Sequence, residues 1–390
     1  MRGKIPIKLK VNSDKKKYLG GKRILPPPIN KSDTLTDLIN DHMLAYNGGR
    51  IRAACLLLKE KMIKRDVTVG MTLSGALTPA GVGSSSIIPL IKEGFVDWIV
   101  STGANMYHDM HFAFNMELRQ GSHLMSDRDL RKKGVVRIYD IVLDNEVLFK
   151  TDAMLRDMLC RPEFQKEMGT AELFYKLGKL VYEKEKELGL KDTSILSACY
   201  QYEVPIFTPS PGDSTVGLDI AGLELITKKF KLRINPSIDV NESTAIVFAA
   251  KKKGGKTGVI ICGGGAPKNF ILQTEPQIQE VLMIPEVGQD YFLQITDARP
   301  DTGGLSGATP SEAVSWGKVD PSGVQDTVIV YSDSTIVLPL MTSYLLNNVK
   351  PREPKRLYRM RDQNCDILRK AYFKHNAAVK GLKAAIEKNA

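Results

Sequence analysis

The sequence predicts an α/β protein with a doubly wound, mainly parallel sheet and helices on both faces. Three observations predict it. Short runs rich in β-branched residues alternate with stretches of helical periodicity. Most of these runs are apolar without alternation, as expected of strands covered on both sides. Four of the runs lead into loops rich in Gly, Ser, Thr, Asn or Asp, the places where an open α/β sheet collects ligands.

The elements follow in order. Pro26-Pro27-Pro28 reads as an extended connector after a basic leader. Residues 34–64 read as helix broken near Gly48-Gly49, with Leu35, Leu38 and Ile39, then Ile51, Ala54, Cys55 and Leu58, on apolar faces. Strands are expected at 67–71, 96–100, 245–248, 258–262, 291–295 and 327–331, with helices at 84–93, 216–228 and 334–348. Residues 151–188 carry many charges and read as a peripheral helical insert. Residues 360–388 place Ile367, Leu368, Tyr372, Val379 and Leu382 at helical spacing, suggesting one helix packed by a narrow face. The resulting division is a basic extension over 1–34, one large α/β domain over 35–349, and a basic helical tail over 350–390.

The 390 residues are 43% hydrophobic, enough for a sizeable core and too many for wholesale disorder. The formal charge of +11 invites a polyanion partner until it is located. Residues 1–25 hold nine Lys/Arg and Asp14, and residues 350–390 hold twelve Lys/Arg and four acids, so each end carries +8 and the body −5. The basicity belongs to the ends, which lack interleaved aromatics, so nucleic acid is not the favoured partner. Five scattered cysteines without metal spacing, and no apolar run of membrane length, suggest reduced thiols in the cytoplasm.

The ligand-collecting loops are 72–83, 101–110, 263–269 and 332–334. Glycines there let backbone approach a ligand, and hydroxyls and amides supply donors to phosphate and ribose. Neither G-x-G-x-x-G after a strand nor G-x-x-x-x-G-K-[ST] is present, so a dinucleotide would not be held in the standard manner. His108, Asp109 and His111 offer potential metal ligands, but no carboxylate cluster accompanies them at metal-site spacing. A hydrogen-bonding or substrate-facing His108 is favoured, and no metal site is assigned. Asp213, in Pro209-Ser210-Pro211-Gly212-Asp213-Ser214, is either a helix cap or a carboxylate presented to ribose or an amine.

The most informative stretch runs from Asp301 through Gly303-Gly304-Leu305-Ser306 to Glu312-Ala313-Val314-Ser315-Trp316-Gly317-Lys318. A lysine beside a large apolar ring is partly desolvated, which favours its neutral, nucleophilic amine. The bland alternative is a surface lysine with a core tryptophan.

Glu312-Ala313-Val314-Ser315-Trp316-Gly317-Lys318 closely resembles the active-site lysine motif of the deoxyhypusine synthase family. The resemblance extends over roughly residues 65–345. It takes in Ser74-Gly75-Ala76-Leu77-Thr78, Ser101-Thr102-Gly103-Ala104, Phe207-Thr208-Pro209 ending in Asp213, Gly263-Gly264-Gly265 with Lys268, and Val330-Tyr331-Ser332-Asp333-Ser334. It implies an NAD-dependent aminobutyl transferase with spermidine as donor, and a homotetramer with active sites between paired subunits. It further implies Lys318 as covalent nucleophile and Trp316 as a wall for the polyamine. Glu312, Ser306, His108, Asp219 and Asn269 fall at amine-binding positions. Ser74, Thr78, Thr102, Gly103, Asp213, Gly303, Asp333 and Ser334 match NAD-contacting ones.

The departures from the protein-modifying members matter too. His108 stands where they have a glutamate, Asn269 where they have a histidine and Leu305 where they have an aspartate; another aspartate shifts, leaving Leu218 with Asp219 beside it. Losing carboxylates alters which amine binds. The signatures Thr102-Gly103-Ala104-Asn105-Met106-Tyr107-His108-Asp109 and Gly265-Ala266-Pro267-Lys268-Asn269-Phe270 resemble the bacterial deoxyhypusine synthase-like branch. That implies putrescine as acceptor and homospermidine as product. The alternatives are transfer to a lysine of a translation factor, a metal-dependent guanidino hydrolase at His108, or a nucleic-acid binding protein using its basic ends.

Overall fold

The computed structural model describes residues 18–21 and 23–389. The Lys15-Lys16-Lys17 run of the basic extension lies outside them. Six parallel strands form the main sheet: β1 (Val67–Leu73), β2 (Trp98–Ser101), β3 (Ile206–Phe207), β4 (Lys256–Cys262), β5 (Tyr291–Ile295) and β6 (Thr327–Val330). Their spatial order is β3-β2-β1-β4-β5-β6. The winding therefore reverses between β1 and β4, the point at which a doubly wound sheet opens a crevice at the carboxyl ends of its strands.

The strands are buried on both faces, as their unbroken apolar runs suggested. In β4, Ile260 and Cys262 join the core on one side of the sheet, while Val259 and Ile261 join the core on the other. The first core is completed by α1 (Tyr46–Leu57), α2 (Gly103–Ala113), α3 (Asn145–Leu159), α4 (Thr170–Glu187), α5 (Ile195–Tyr202), α6 (Thr215–Ile226) and, from later in the chain, Ser334–Asn348. The second is built by α7 (Pro236–Lys252), α8 (Gly265–Pro276) and Arg361–His375. Counting the site helix α9 (Pro310–Ser315), the last helices are α10 (Ser334–Asn348), α11 (Arg361–His375) and α12 (Val379–Asn389).

Several expectations need correction. Residues 245–248 are helix within α7, not strand. The helix starts at an Asn235 cap, whose Oδ1 accepts from Ser237 N at 2.9 Å, with Pro236 in the first turn. It lies between the sheet and α11, so apolar residues face both neighbours and the run loses helical contrast. The N-terminal helical break falls at 43–45 rather than at Gly48-Gly49. Those glycines sit inside α1 because the preceding turn folds onto them: a β-carbon at Gly49 would meet the Leu44 carbonyl at 3.1 Å.

The insert over 151–188 is two helices, and α4 is not peripheral. Leu173, Phe174, Leu177 and Val181 are buried in one stripe against α5, while its lysines and its glutamates other than buried Glu185 take the opposite face. The tail is likewise two helices, parted near Asn376. Three features were not anticipated: the short edge strand β3 of the main sheet, an antiparallel sheet of Arg119–Gln120, Val135–Ile138 and Ile141–Asp144, and a parallel pair of Glu167–Met168 with Arg233–Ile234.

Arg352 ties the tail to the amino end of the sheet. Its Nη2 pairs with buried Asp97 Oδ2 at 2.6 Å, and its Nη1 donates to the carbonyls of Lys64 at 2.7 Å and Val67 at 2.8 Å. Lys355 Nζ adds bonds to Val67 O at 2.8 Å and Thr68 Oγ1 at 2.9 Å. Among the described residues no helix is long and apolar enough to cross a membrane.

Candidate active site

The site is assembled at the crevice between β1 and β4. Gly70 in β1 brings α8 against the sheet, since a β-carbon there would lie 2.7 Å from both Ile271 Cδ1 and the Trp98 ring. The loop ahead of α8 then meets the loop after β1. Ser74 Oγ donates to the Gly264 carbonyl and accepts from Gly264 N at 3.2 Å. Gly264 has no room for a side chain, because its β-carbon would sit 2.4 Å from Ser306 Cα. Ser306 Oγ in turn accepts from Gly265 N at 3.0 Å.

Lys318 stands at the end of α9. Thr309 Oγ1 caps the helix by accepting from Glu312 N at 3.2 Å, and Pro310 occupies the first turn. The helix stops in a Schellman turn: Gly317, at φ +63°, donates to Val314 O at 3.0 Å, and Lys318 N donates to Ala313 O at 2.9 Å. The turn is clamped from outside. Gln279 Nε2 donates to Gly317 O at 2.8 Å, and Gln289 N donates to Lys318 O at 3.0 Å.

The Lys318 side chain points into a cavity of about 290 Å³ that it shares with Asn269, Glu312, Trp316 and Leu305. Its Nζ donates to Asn269 Oδ1 at 3.1 Å and lies 5.8 Å from the centre of the Trp316 ring. Burial holds the ammonium below the usual lysine range, with Glu280 and Glu312 pulling the other way. The bland picture of an outer lysine and a core tryptophan is inverted: Trp316 is 60% exposed and the lysine half-buried.

Two residues not assigned to the site from sequence hold it together. Lys268, 4% exposed, donates from Nζ to Gln294 Oε1 at 2.9 Å and to Ala308 O at 2.7 Å. Burial pushes it down to about 8, Glu312 opposing and Lys318 reinforcing. Gln294, wholly buried in β5, donates to the Gly263 and Ser306 carbonyls, both at 2.8 Å. Its signal was available as a lone amide in the apolar run Tyr291–Ile295.

The sequence matches the model of the deoxyhypusine synthase family over residues 37–345. The chain belongs to the deoxyhypusine synthase family. A deoxyhypusine synthase-like protein of Nostoc punctiforme is 52% identical over 353 residues, which cover 90% of each chain. "Probable deoxyhypusine synthase 2" of Methanosarcina mazei is 38% identical, over 82% of this chain and 88% of its own. In fold, the chain is similar to a protein of Entamoeba histolytica assigned as a deoxyhypusine synthase, with a TM-score of 0.53 at 15% identity, over 85% of this chain and 99% of that one.

Set against the deoxyhypusine synthase family positions, the remaining site residues fall into two groups. The first surrounds the crevice. Thr102 caps α2 and its Oγ1 donates to Gly75 O at 2.6 Å, while Gly103 begins the helix. Thr78 is buried, its hydroxyl donating to Asn105 O at 2.8 Å, and Asn105 Oδ1 accepts from the Leu77 and Thr78 amides at 2.7 and 3.1 Å. Asp333 caps α10, with its Oδ1 accepting from Thr335 N at 2.6 Å, and Ser334 opens that helix. Gly303, at φ +73°, has open space beside its α carbon, and Asp213 lies exposed in a turn closed onto Ser210 O at 3.1 Å.

The second group, His108 and Asp219, does not line the Lys318 cavity within this chain. Asp219 is 1% exposed and pairs through Oδ1 with Arg156 Nε at 2.6 Å. Burial raises its carboxyl and Arg156 opposes. His108 Nδ1 lies 3.0 Å from His111 Nε2, and His111 Nδ1 lies 2.8 Å from Thr151 Oγ1. Thr151 donates its proton to Val147 O at 2.8 Å, so its oxygen accepts from His111 and His111 Nε2 accepts from His108. The chain of bonds turns His108 Nε2 outward as an acceptor. Burial pushes His111 down to about 3, with His108 adding to the shift, and burial also lowers His108. Asp109 is committed elsewhere, accepting from Ser194 Oγ at 2.5 Å, Ile195 N at 2.8 Å and Leu196 N at 3.0 Å at the start of α5.

Proposed function

We propose that this transferase moves an aminobutyl group from spermidine to putrescine through an imine on Lys318, forming homospermidine with NAD as cofactor. The observation that carries the reading is Lys318 itself, a half-buried amine held below its usual protonation range beside Trp316, Asn269 and Glu312. A lysine so placed has a larger neutral fraction at neutral pH, and only the neutral amine attacks carbon.

The residues at the crevice fit NAD. Open space lies beside Gly75, Gly265 and Gly303, all at positive φ, and the amino ends of α2, α8 and α10 all begin in the loops after sheet strands. Helix amino ends and bare glycine backbone suit a pyrophosphate. Ser74, Thr102, Gly103, Asp213, Asp333 and Ser334 would hold the cofactor, whose nicotinamide would accept and later return a hydride. The protein's part is positional. Asn269 accepts from Lys318 Nζ and orients it, Trp316 forms an apolar wall for the butyl chain, and Glu312 offers a carboxylate to a substrate ammonium. In this reading His108 and Asp219 contact amine from a paired subunit. Exposed Leu218, Leu225 and Ile226 on α6 (65, 90 and 75%) support association into a homotetramer. The division at residues 34 and 350 and a cytoplasmic location belong to the same reading.

The test is incubation with NAD, spermidine and putrescine, followed by mass spectrometry. Homospermidine and 1,3-diaminopropane are expected. Their absence under conditions where NAD binds would overturn the proposal, and label passing from spermidine into a translation-factor lysine instead would transfer it to the protein-modifying reaction.

A further inference from the structure

A second cavity, of about 520 Å³, adjoins the first. It opens between α7 and α8 and shares Asn269, Gln273 and Leu305 with the Lys318 cavity, so the two meet at the residue that bonds the lysine nitrogen. Its walls mix apolar residues such as Val240, Phe270 and Leu305 with polar ones. Ser243 and Thr244 come from α7, and Glu280 comes from the π-helical turn Gln277–Val281 that continues α8. Thr244 is 1% exposed and its Oγ1 has no hydrogen-bond partner among the described residues. A buried hydroxyl left unpaired is costly, and a polar ligand in the cavity would satisfy it. Glu280 is exposed at the same cavity and close enough to Lys318 to act on its proton affinity.

We infer that this second cavity is the acceptor site, and that it takes a short linear diamine with its far ammonium on Glu280 and an N–H on Thr244 Oγ1. The inference rests on the transfer reaction proposed above and adds a place for the second substrate. The wall between the cavities puts the acceptor's near nitrogen beside Asn269, where Lys318 would carry the imine. There the uncharged amine adds its lone pair to the imine carbon and forms the new C–N bond. A proton passes from the added nitrogen to the lysine nitrogen, the carbon–lysine bond breaks, and Lys318 leaves as a free amine. No electrons are exchanged in this step. Glu280 holds the far end as a cation while the near end reacts uncharged, which disfavours monoamines lacking a second charge.

The experiment separates the two substrates. Putrescine and spermidine binding to the full-length protein with NAD are measured by calorimetry for wild type, Glu280→Gln and Thr244→Val. Steady-state KM and kcat are then measured for each amine. Glu280→Gln is expected to weaken putrescine about tenfold, the scale of one charge-assisted hydrogen bond. Spermidine binding should change less than about twofold on that scale, and the loss should fall on the KM for putrescine rather than on that for spermidine. Thr244→Val, nearly isosteric at an unpaired hydroxyl, is expected to weaken putrescine by a smaller factor without lowering thermal stability. Putrescine affinity unchanged in both variants, or both amines weakened equally, overturns the acceptor site. Calorimetry reads this even if no homospermidine is formed, so failure of the transfer reaction and failure of this site are distinguishable.

Discussion

Gln279 Nε2 donates to the Gly317 carbonyl at 2.8 Å, and a β-carbon on residue 317 would lie 2.3 Å from Gln279 Oε1. The glycine is therefore favoured by its left-handed φ of +63°, and any side chain there would push the Gln279 amide away from the turn. Gly317→Ala should cost about 1–2 kcal/mol from the left-handed conformation alone. It should also displace Lys318, so kcat falls more than thermal stability does. Unfolding curves and initial rates check this, and a fully active Ala variant would remove the turn from the mechanism.

Lys318→Ala should abolish transfer and leave NAD binding and folding intact, because among the described residues the side chain makes one hydrogen bond, to Asn269, at 3.1 Å. Lys318→Arg should fail as well, since a guanidinium stays charged and forms no imine. Intact-mass measurement after borohydride trapping with spermidine should find an adduct on wild type and none on either variant. Transfer activity in either would refute the covalent role.

The pH dependence has a defined sign. Burial lowers the Lys318 ammonium, so the reactive neutral amine grows as pH rises, with its midpoint below that of an ordinary lysine. Glu280 and Glu312 stabilise the ammonium and oppose that shift. Glu280→Gln removes one opposing charge and should move the rise of adduct formation to lower pH. The measurement uses spermidine and NAD without acceptor, so that acceptor binding does not enter. A rise moved to higher pH would contradict the assigned electrostatics.

Gln294→Leu should unpair the Gly263 and Ser306 carbonyls and one bond of Lys268. Each buried group left unsatisfied costs about 1–3 kcal/mol. Thermal unfolding should reveal the loss, and NAD affinity should fall because the glycine loop and the Ser306 loop lose their common tie. Unchanged values in both measurements would make the amide dispensable.

Much of this could be read from the chain because strands buried on both faces write themselves as apolar runs. β1, β4, β5 and β6 were legible for that reason, as was α10. Ala245–Phe248 misled for the same reason, since a helix enclosed between sheet and α11 also lacks a polar face. In α4 the charges were visible but the buried stripe between them was read too lightly. At the site, the Lys318 motif and the glycine loops were apparent from local pattern. The partnership of Lys268 with Gln294 and Ala308 was not, because it joins residues 26 and 40 positions apart once α8, β5 and the loop before α9 converge. The exposure of Trp316 was likewise set by how α9 lies on the surface rather than by its neighbours in sequence.

The tail's positive charge is partly interior chemistry. Arg352 neutralises Asp97 where burial alone would raise that carboxyl, and Lys355 spends its protons on Val67 and Thr68. A chain cut after Asn348 would lose the counter-ion of a buried acid and uncap the carbonyls beneath the first strand. A truncation intended to strip a polycationic arm would unseat the floor of the sheet, and any loss of nucleic-acid binding or activity that followed would report on folding.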